Sequence, residues 1–215
     1  GTGTIAGDFS GNGNTGTLTG ANGLPTWTTG KRGNAVNFDG VDDYINLGSP
    51  STLDQNGQMS LSAWIKPSIV TSGAMQIICN GGANTGDYCL DLNRTAGRLS
   101  VVWSNTLVST NGAGATLLQD TWYHVVMVRS GSVGAWTITY YVNGVVGDAD
   151  VHSTGINGVN VVTNIGAFNN SSQFFKGIID DVRIYNRALS AGEITALYGA
   201  KEATIGKTQS TGSLA

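Results

Sequence analysis

The chain has 215 residues, 40% of them hydrophobic and 12% charged, with 32 glycines and a formal net charge of −3. That length suits one medium β domain with a sizeable core, and the low charge at normal hydrophobicity excludes a disordered chain. Scattered basic residues, with Lys31-Arg32 the only adjacent pair, exclude a nucleic-acid footprint, and no apolar run is long enough for a membrane span.

Strand signals dominate in chain order. Runs rich in Val, Ile, Thr, Trp and Tyr, bounded by Gly, Asn, Asp and Ser, predict strands at 34–39, 43–47, 58–66, 75–80, 88–92, 98–103, 122–129, 136–143, 159–167 and 177–185. Asn143-Gly144 after Tyr140-Tyr141-Val142 predicts a tight hairpin turn, because both residues tolerate positive φ. About ten or more strands at this spacing imply an all-β fold, a two-sheet sandwich. Ser190-Ala-Gly-Glu193 is a capping box that opens one short C-terminal helix, with Ile194, Ala196, Leu197 and Tyr198 following and Gly199 at its end. The division expected is a sandwich over residues 1–199 and a polar tail over 200–215, a linker or a donor strand. The start at Gly1, without a leader, reads as a mature chain or a cut piece.

Cys79 and Cys89 lie in apolar runs on either side of a Gly/Asn loop, so a hairpin sets them across from each other. A local disulfide is expected in an extracellular setting. Two buried thiols are the alternative.

Several motifs, in order, resemble the laminin-G-like, concanavalin-type jelly rolls of microbial secreted and surface proteins. They are Asp8-Phe-Ser-Gly-Asn-Gly-Asn14, Thr26-Trp-Thr-Thr-Gly-Lys31, Phe38-Asp-Gly-Val-Asp-Asp-Tyr-Ile45, Leu61-Ser-Ala-Trp-Ile-Lys-Pro67, Trp122-Tyr-His-Val-Val126, Tyr141-Val-Asn-Gly144 and Ile179-Asp-Asp-Val-Arg-Ile-Tyr-Asn-Arg-Ala-Leu-Ser190. The resemblance covers roughly residues 8–198 and makes the expected sandwich an antiparallel jelly roll. It implies a fold used for carbohydrate-binding, adhesive and accessory modules, and it carries no single activity. Members of that family open with an aromatic-rich strand ahead of the Gly-Thr-Gly-Thr stretch, and that strand is missing here.

Catalysis is not expected. Glycoside hydrolysis generally needs two carboxylates, often Glu, across the sugar, and this chain has two Glu, with Glu193 committed to the capping box and Glu202 in the tail. His124 and His152 have no recognisable nucleophile partner in sequence and read as structural residues.

Alternation along Ile179–Ile184 places Asp180 on one face with Val182 and Ile184, pointing it inward, and leaves Asp181 and Arg183 to pair on the other. An inward carboxylate needs a partner. The resemblance implies one structural calcium near the terminal strands, and the residues nominated for it are Asp180 and Asp39, with Asp8 third. The alternative is that Asp180 accepts backbone amides while Asp39 and Asp42 shape a turn. Sugar faces stack on exposed rings, and Trp103 beside Ser104-Asn105 and Trp136 after a Gly/Ser loop are the expected glycan contacts. Trp64 and Trp122 match buried family positions.

Two function classes follow. The first is a non-catalytic extracellular or cell-surface module whose partner is a glycan or surface polymer. The second is a structural subunit of a filament or surface layer, self-associating by strand exchange, since a sandwich lacking one strand exposes an edge that Ala203–Ala215 would complete. A glycoside-active enzyme ranks third.

Overall fold

The computed structural model describes residues 3–70, 73–81, 88–92, 97–103, 106–109, 116–152 and 161–200. Among these, the strands are β1 (Ile5–Ala6), β2 (Gly16–Thr19), β3 (Thr26–Thr29), β4 (Asn34–Asp39), β5 (Tyr44–Asn46), β6 (Met59–Pro67), β7 (Met75–Asn80), β8 (Tyr88–Leu92), β9 (Leu99–Trp103), β10 (Thr106–Ser109), β11 (Tyr123–Ser132), β12 (Ala135–Val142), β13 (Val145–His152), β14 (Thr163–Ile165) and β15 (Lys176–Tyr185). The helix α1 spans Ala191–Gly199. One sheet has eight strands in the order β1-β2-β5-β14-β7-β8-β9-β10, the other seven in the order β13-β12-β11-β6-β15-β4-β3. All pairings are antiparallel. The jelly-roll sandwich expected from the sequence is the fold observed.

The core is built by alternation. Leu61, Ala63 and Ile65 of β6 and Val125 and Met127 of β11 face Ile45, Leu90, Leu92, Leu99 and Val101 of the eight-stranded sheet, all of them buried. Each fully buried Leu, Ile or Val contributes roughly 1.5–3 kcal/mol, and contacts across both sheets make the two layers one body. The outer face of the seven-stranded sheet carries a second cluster, in which Val126 and Val128 pack under Leu189 and Ile194 at the start of α1. The capping box forms as expected, with the Ser190 side chain accepting from the Glu193 amide and the Glu193 carboxylate accepting from the Ser190 amide.

The Asn143-Gly144 turn is also as expected. Both residues have positive φ, 52° and 78°, and they join Val142 directly to Val145 across the hairpin. The strands that sequence reading missed are β1, β2, β3, β10 and β13. The first four have two to four residues, too few to show a period. β13 reads V-V-G-D-A-D-V-H, an exposed edge strand whose Gly and Asp residues mimic loop composition. The run expected at 159–167 contributes β14, Thr163–Ile165, within its described part. The tail 201–215, the expected donor strand, lies outside the described residues.

Cys79 and Cys89 stand opposite each other in the β7–β8 pair, Cα atoms 4.1 Å apart, and form the expected disulfide. A cross-link between residues ten positions apart removes loop-closure entropy from the unfolded chain worth about 2–3 kcal/mol. Replacing both cysteines by alanine is therefore expected to lower the unfolding free energy by about that amount in urea titrations while leaving the circular-dichroism spectrum unchanged.

Candidate functional site

The aspartates singled out in the sequence separate into three places. Asp39, Asp42 and Asp43, in the turn between β4 and β5, each bring one carboxylate oxygen within 4.8 Å of the others. Among the described residues this is the one such group, and of the three residues nominated for calcium it contains Asp39 alone. Asp39 accepts the Val41 amide at 2.7 Å, Asp43 accepts the Asp39 amide at 2.9 Å, and Asp42 accepts the Asn22 amide at 3.1 Å. Burial, reinforced by the charges of Asp39 and Asp42, pushes the Asp43 carboxyl up. Asp42 Oδ1 is buried without a hydrogen-bond partner, and a side chain at Gly20 would collide with the Gly23 carbonyl and Asp43 Oδ1 and press on Asp42 Oδ1. Three hard oxygens with spare lone pairs fit a divalent cation of the calcium type.

Asp180 does something else. A bulge at Asp181, whose φ is 46°, shifts the β15–β6 register between Asp180 and Arg183. The extra residue reverses the side-chain phase. Ile179, Val182 and Ile184 all pack on the core, whereas Asp180 lies opposite Trp64 on the outer face. The inward orientation expected from simple alternation is thus corrected by the bulge. Asp180 is still 5% exposed, because the β3–β4 turn folds over it. Its carboxylate accepts the Arg32 amide at 2.7 Å and hydrogen bonds from the Asp181 and Lys31 amides. Burial raises its carboxyl, and those amides oppose the rise. Asp181 and Arg183 pair at 2.9 Å, as the sequence suggested, and Asp181 also holds Arg32 at 2.7 Å. Asp8 is a local turn organiser, accepting the Ser10 and Asn14 amides at 2.8 Å each, and the Ser10 amide is the main reason its carboxyl lies below the usual range.

Trp136 is not where sequence reading put it. Trp136 is 4% exposed, because β12 alternation places it in phase with Ile138, Tyr140 and Val142, facing inward. The Arg129 guanidinium lies 3.7 Å from its ring centroid, with Nη1 donating to Gly57 O at 3.0 Å. A ring so covered offers no face to a sugar, which corrects the expectation of a partly exposed glycan contact. Trp103 ends β9, and its side chain lies outside the described part. Trp64 is buried, as expected, while Trp122 is half-buried.

His124 has a partner that sequence spacing did not reveal. Ser62 Oγ lies 3.0 Å from its Nε2 across the β6–β11 pair. The ring packs beside both Trp64 and Tyr198 of α1, centroids 5.3 and 6.2 Å away, and Nδ1 is buried with no hydrogen-bond partner. A nucleophile–base pair generally needs a third group to orient the base and an open approach. This one is roofed by α1 and reads as packing.

The surface with recognition chemistry is the outer face of the eight-stranded sheet. Strand alternation sends Leu18, Ile45, Leu90, Leu92, Leu99, Val101 and Ile165 to the core and turns Thr17, Asn46, Asn164, Asp91 and Ser100 the other way. Gln76, Asp91 and Ser100 face one another across β7, β8 and β9. Gln76 Nε2 donates to Asp91 Oδ2 at 3.3 Å and to Gln173 Oε1 at 2.6 Å, while Ser100 Oγ donates to Asp91 Oδ1. Residues 168–174 fold over this face. The side-chain amides of Asn164 and Asn170 come within 2.7 Å of each other, and the Phe174 ring centroid lies 6.5 Å from that of Tyr44. Three non-glycine residues of this loop, Asn169, Asn170 and Gln173, hold φ near 50–60°, a conformation that costs free energy and concentrates at ligand-contacting sites. The arrangement offers amide and hydroxyl groups beside aromatic rings, which is the chemistry that engages sugar hydroxyls and ring faces. Sequence reading missed it because single polar residues inside apolar strands carry no motif. Gln76 and Asp91 betray themselves only once strand phase is known.

The buried neutral imidazole of His124 makes stability pH-dependent. Burial lowers its pKa to about 4, with the Arg32 charge acting in the same direction. The unfolded chain takes up a proton below about 6.5 that the folded one refuses, so stability is full above that pH and falls between pH 6.5 and 4 by up to about 3 kcal/mol. Urea unfolding at pH 7, 5.5 and 4 is expected to show this loss in the wild type and a much smaller one in His124→Gln.

Comparison with known proteins places this geometry. The domain 4 of AbnA, an extracellular GH43 arabinanase of Geobacillus stearothermophilus solved with arabinotriose, superposes with a TM-score of 0.69 at 26% identity, over 85% of this chain and 87% of that one. The binding domain of botulinum neurotoxin serotype G gives 0.65 at 14% identity over 89% of this chain and 47% of its own length. The SAP-like pentraxin of Limulus polyphemus gives 0.59 at 15% identity, over 79% and 83%. The latter two likenesses are of fold alone, and this chain spans about half of the toxin domain. No curated protein sequence matches the chain. The Laminin_G_3 family model matches residues 39–195, and the chain therefore belongs to that family of the concanavalin A-like lectin/glucanases superfamily.

Proposed function

We propose that this chain is a non-catalytic carbohydrate-binding domain acting outside the cell, on a secreted or cell-surface protein. The observation that carries the reading is its likeness, over most of both chains and at 26% identity, to a domain solved with arabinotriose. The Cys79–Cys89 disulfide supports an oxidising compartment. The outer face of the eight-stranded sheet supplies the binding groups, with Tyr44 and Phe174 for ring faces and Thr17, Asn46 and Asn170 for hydroxyls. Non-catalysis is favoured by the carboxylates themselves, since Glu193 is held by Arg187 and the capping box and Asp91 is hydrogen-bonded within the sheet face.

Isothermal titration with arabinotriose, within a panel of neutral and acidic oligosaccharides, is the direct test. Binding without release of free sugar is expected, and Tyr44→Ala and Asn46→Ala should each weaken it about tenfold, or about 1.4 kcal/mol, with the melting temperature little changed. No binding to any oligosaccharide, or sugar release by the purified protein, would overturn the proposal.

A structural calcium belongs to the same reading. Asp39, Asp42 and Asp43 would hold it, with the ion offsetting their mutual repulsion. Millimolar calcium is then expected to raise the melting temperature relative to chelator, and Asp42→Asn to abolish the difference. An unchanged melting temperature counts against the site.

A further inference from the structure

The outer face of the eight-stranded sheet is open at one side and walled at the other. Ile5 pairs with Thr17, Thr17 with Asn46, Asn46 with Asn164, Asn164 with Cys79 and Cys79 with Cys89. These six residues form one continuous row across β1, β2, β5, β14, β7 and β8. Exposure falls along it in order. Ile5 is 50% exposed and Thr17 is exposed, Asn46 is half-buried, and Asn164, Cys79 and Cys89 are completely buried. The next row behaves likewise, with Thr19 and Tyr44 partly open while Gln76, Asp91 and Ser100 are buried.

The wall has its own supports. Asn170 backs Asn164, and Gln173 backs Gln76 through both its side chain and its backbone carbonyl, at 2.6 and 2.9 Å. Gln76 is completely buried, and its Oε1 has no hydrogen-bond partner. The open ledge is small in both directions. From β2 to β14 is two strand spacings, about 10 Å. Along the strands, β5 has three residues, again about 10 Å, before the Tyr44–Phe174 pair and the acidic turn close that side.

A binder of mid-chain segments needs a groove open at both ends, so that the polymer enters and leaves. Among the described residues, this ledge opens at the β1–β2 edge and ends blind at Asn164. Resting on the carbohydrate-binding reading above, we infer that the site takes the terminus of a glycan chain, one or two residues deep, and does not clasp the interior of a polymer. The entering residue stacks beside Tyr44 and Phe174, and its leading hydroxyls meet Asn46 and Asn170, which covers the buried Asn164.

Stoichiometry distinguishes the two modes with the unaltered protein. Arabinotriose and linear arabinans of two defined chain lengths are titrated calorimetrically, and the complexes are sized by analytical ultracentrifugation. End recognition predicts one protein per arabinan chain at either length, with a per-chain affinity within about threefold of that for arabinotriose. A number of bound proteins that grows with chain length would overturn the inference while leaving carbohydrate binding intact. Absence of binding to the trisaccharide and to both arabinans would remove the arabinan reading and the inference with it.

Discussion

A strand has a period of two, and every other property of this molecule is arranged around that constraint. Each strand of the eight-stranded sheet gives one set of residues to the core and must do something with the other. In β8 the division is between Tyr88, Leu90 and Leu92, which bind the two layers together, and Cys89 and Asp91, which face away. Polar groups on that second face are buried where they hydrogen-bond one another, as the Gln76 amide nitrogen, Asp91 and Ser100 do, with Gln173 bonding Gln76 from the covering loop. At Asn46, Thr17 and Tyr44 the face opens to solvent. The boundary between self-satisfied and open polar surface is where an external ligand has most to offer.

The seven-stranded sheet uses its outer face differently. One inserted residue at Asp181 reverses the strand phase and carries Asp180 from the inside to the outside, next to Trp64. The carboxylate then gathers the amides of the β3–β4 turn, and that turn presents Arg32 to Asp181 and to the Leu197 carbonyl at the end of α1. Lys31 and Arg32 also lie over the Trp64 ring, 5.1 and 5.6 Å from its centroid, while Tyr198 stacks on it. The helix, the turn and the aromatic cluster therefore depend on a single bulge. Around Trp64 this face is covered by its own chain, the β3–β4 turn and α1.

The elements with a strong period were legible in the sequence. The hairpin at Asn143-Gly144, the capping box at Ser190, the cross-strand cysteines and the long strands β6, β11 and β15 all follow from local chemistry, and local chemistry is what a sequence displays. The site was not legible. Asp180 looked inward because alternation was carried through a bulge that no residue type announces. Trp136 looked exposed because a Gly/Ser loop precedes it, although its phase with Ile138 and Tyr140 already pointed to the core. Asn46, Asn164 and Gln76 are brought together by pairing between strands far apart in sequence, and that is a property of the fold. What a sequence does show is their type: uncharged polar residues set singly in strands that are otherwise apolar.

The central claim, that sugar binds the open half of the eight-stranded sheet, is tested most directly by locating a bound oligosaccharide. Backbone amide shifts recorded by NMR on titration with arabinotriose are predicted to move at Thr17, Tyr44, Asn46, Asn170 and Phe174, and to stay fixed around Trp64, His124 and α1. Shifts confined to the α1 face, or to the Asp39–Asp43 turn alone, would contradict the account.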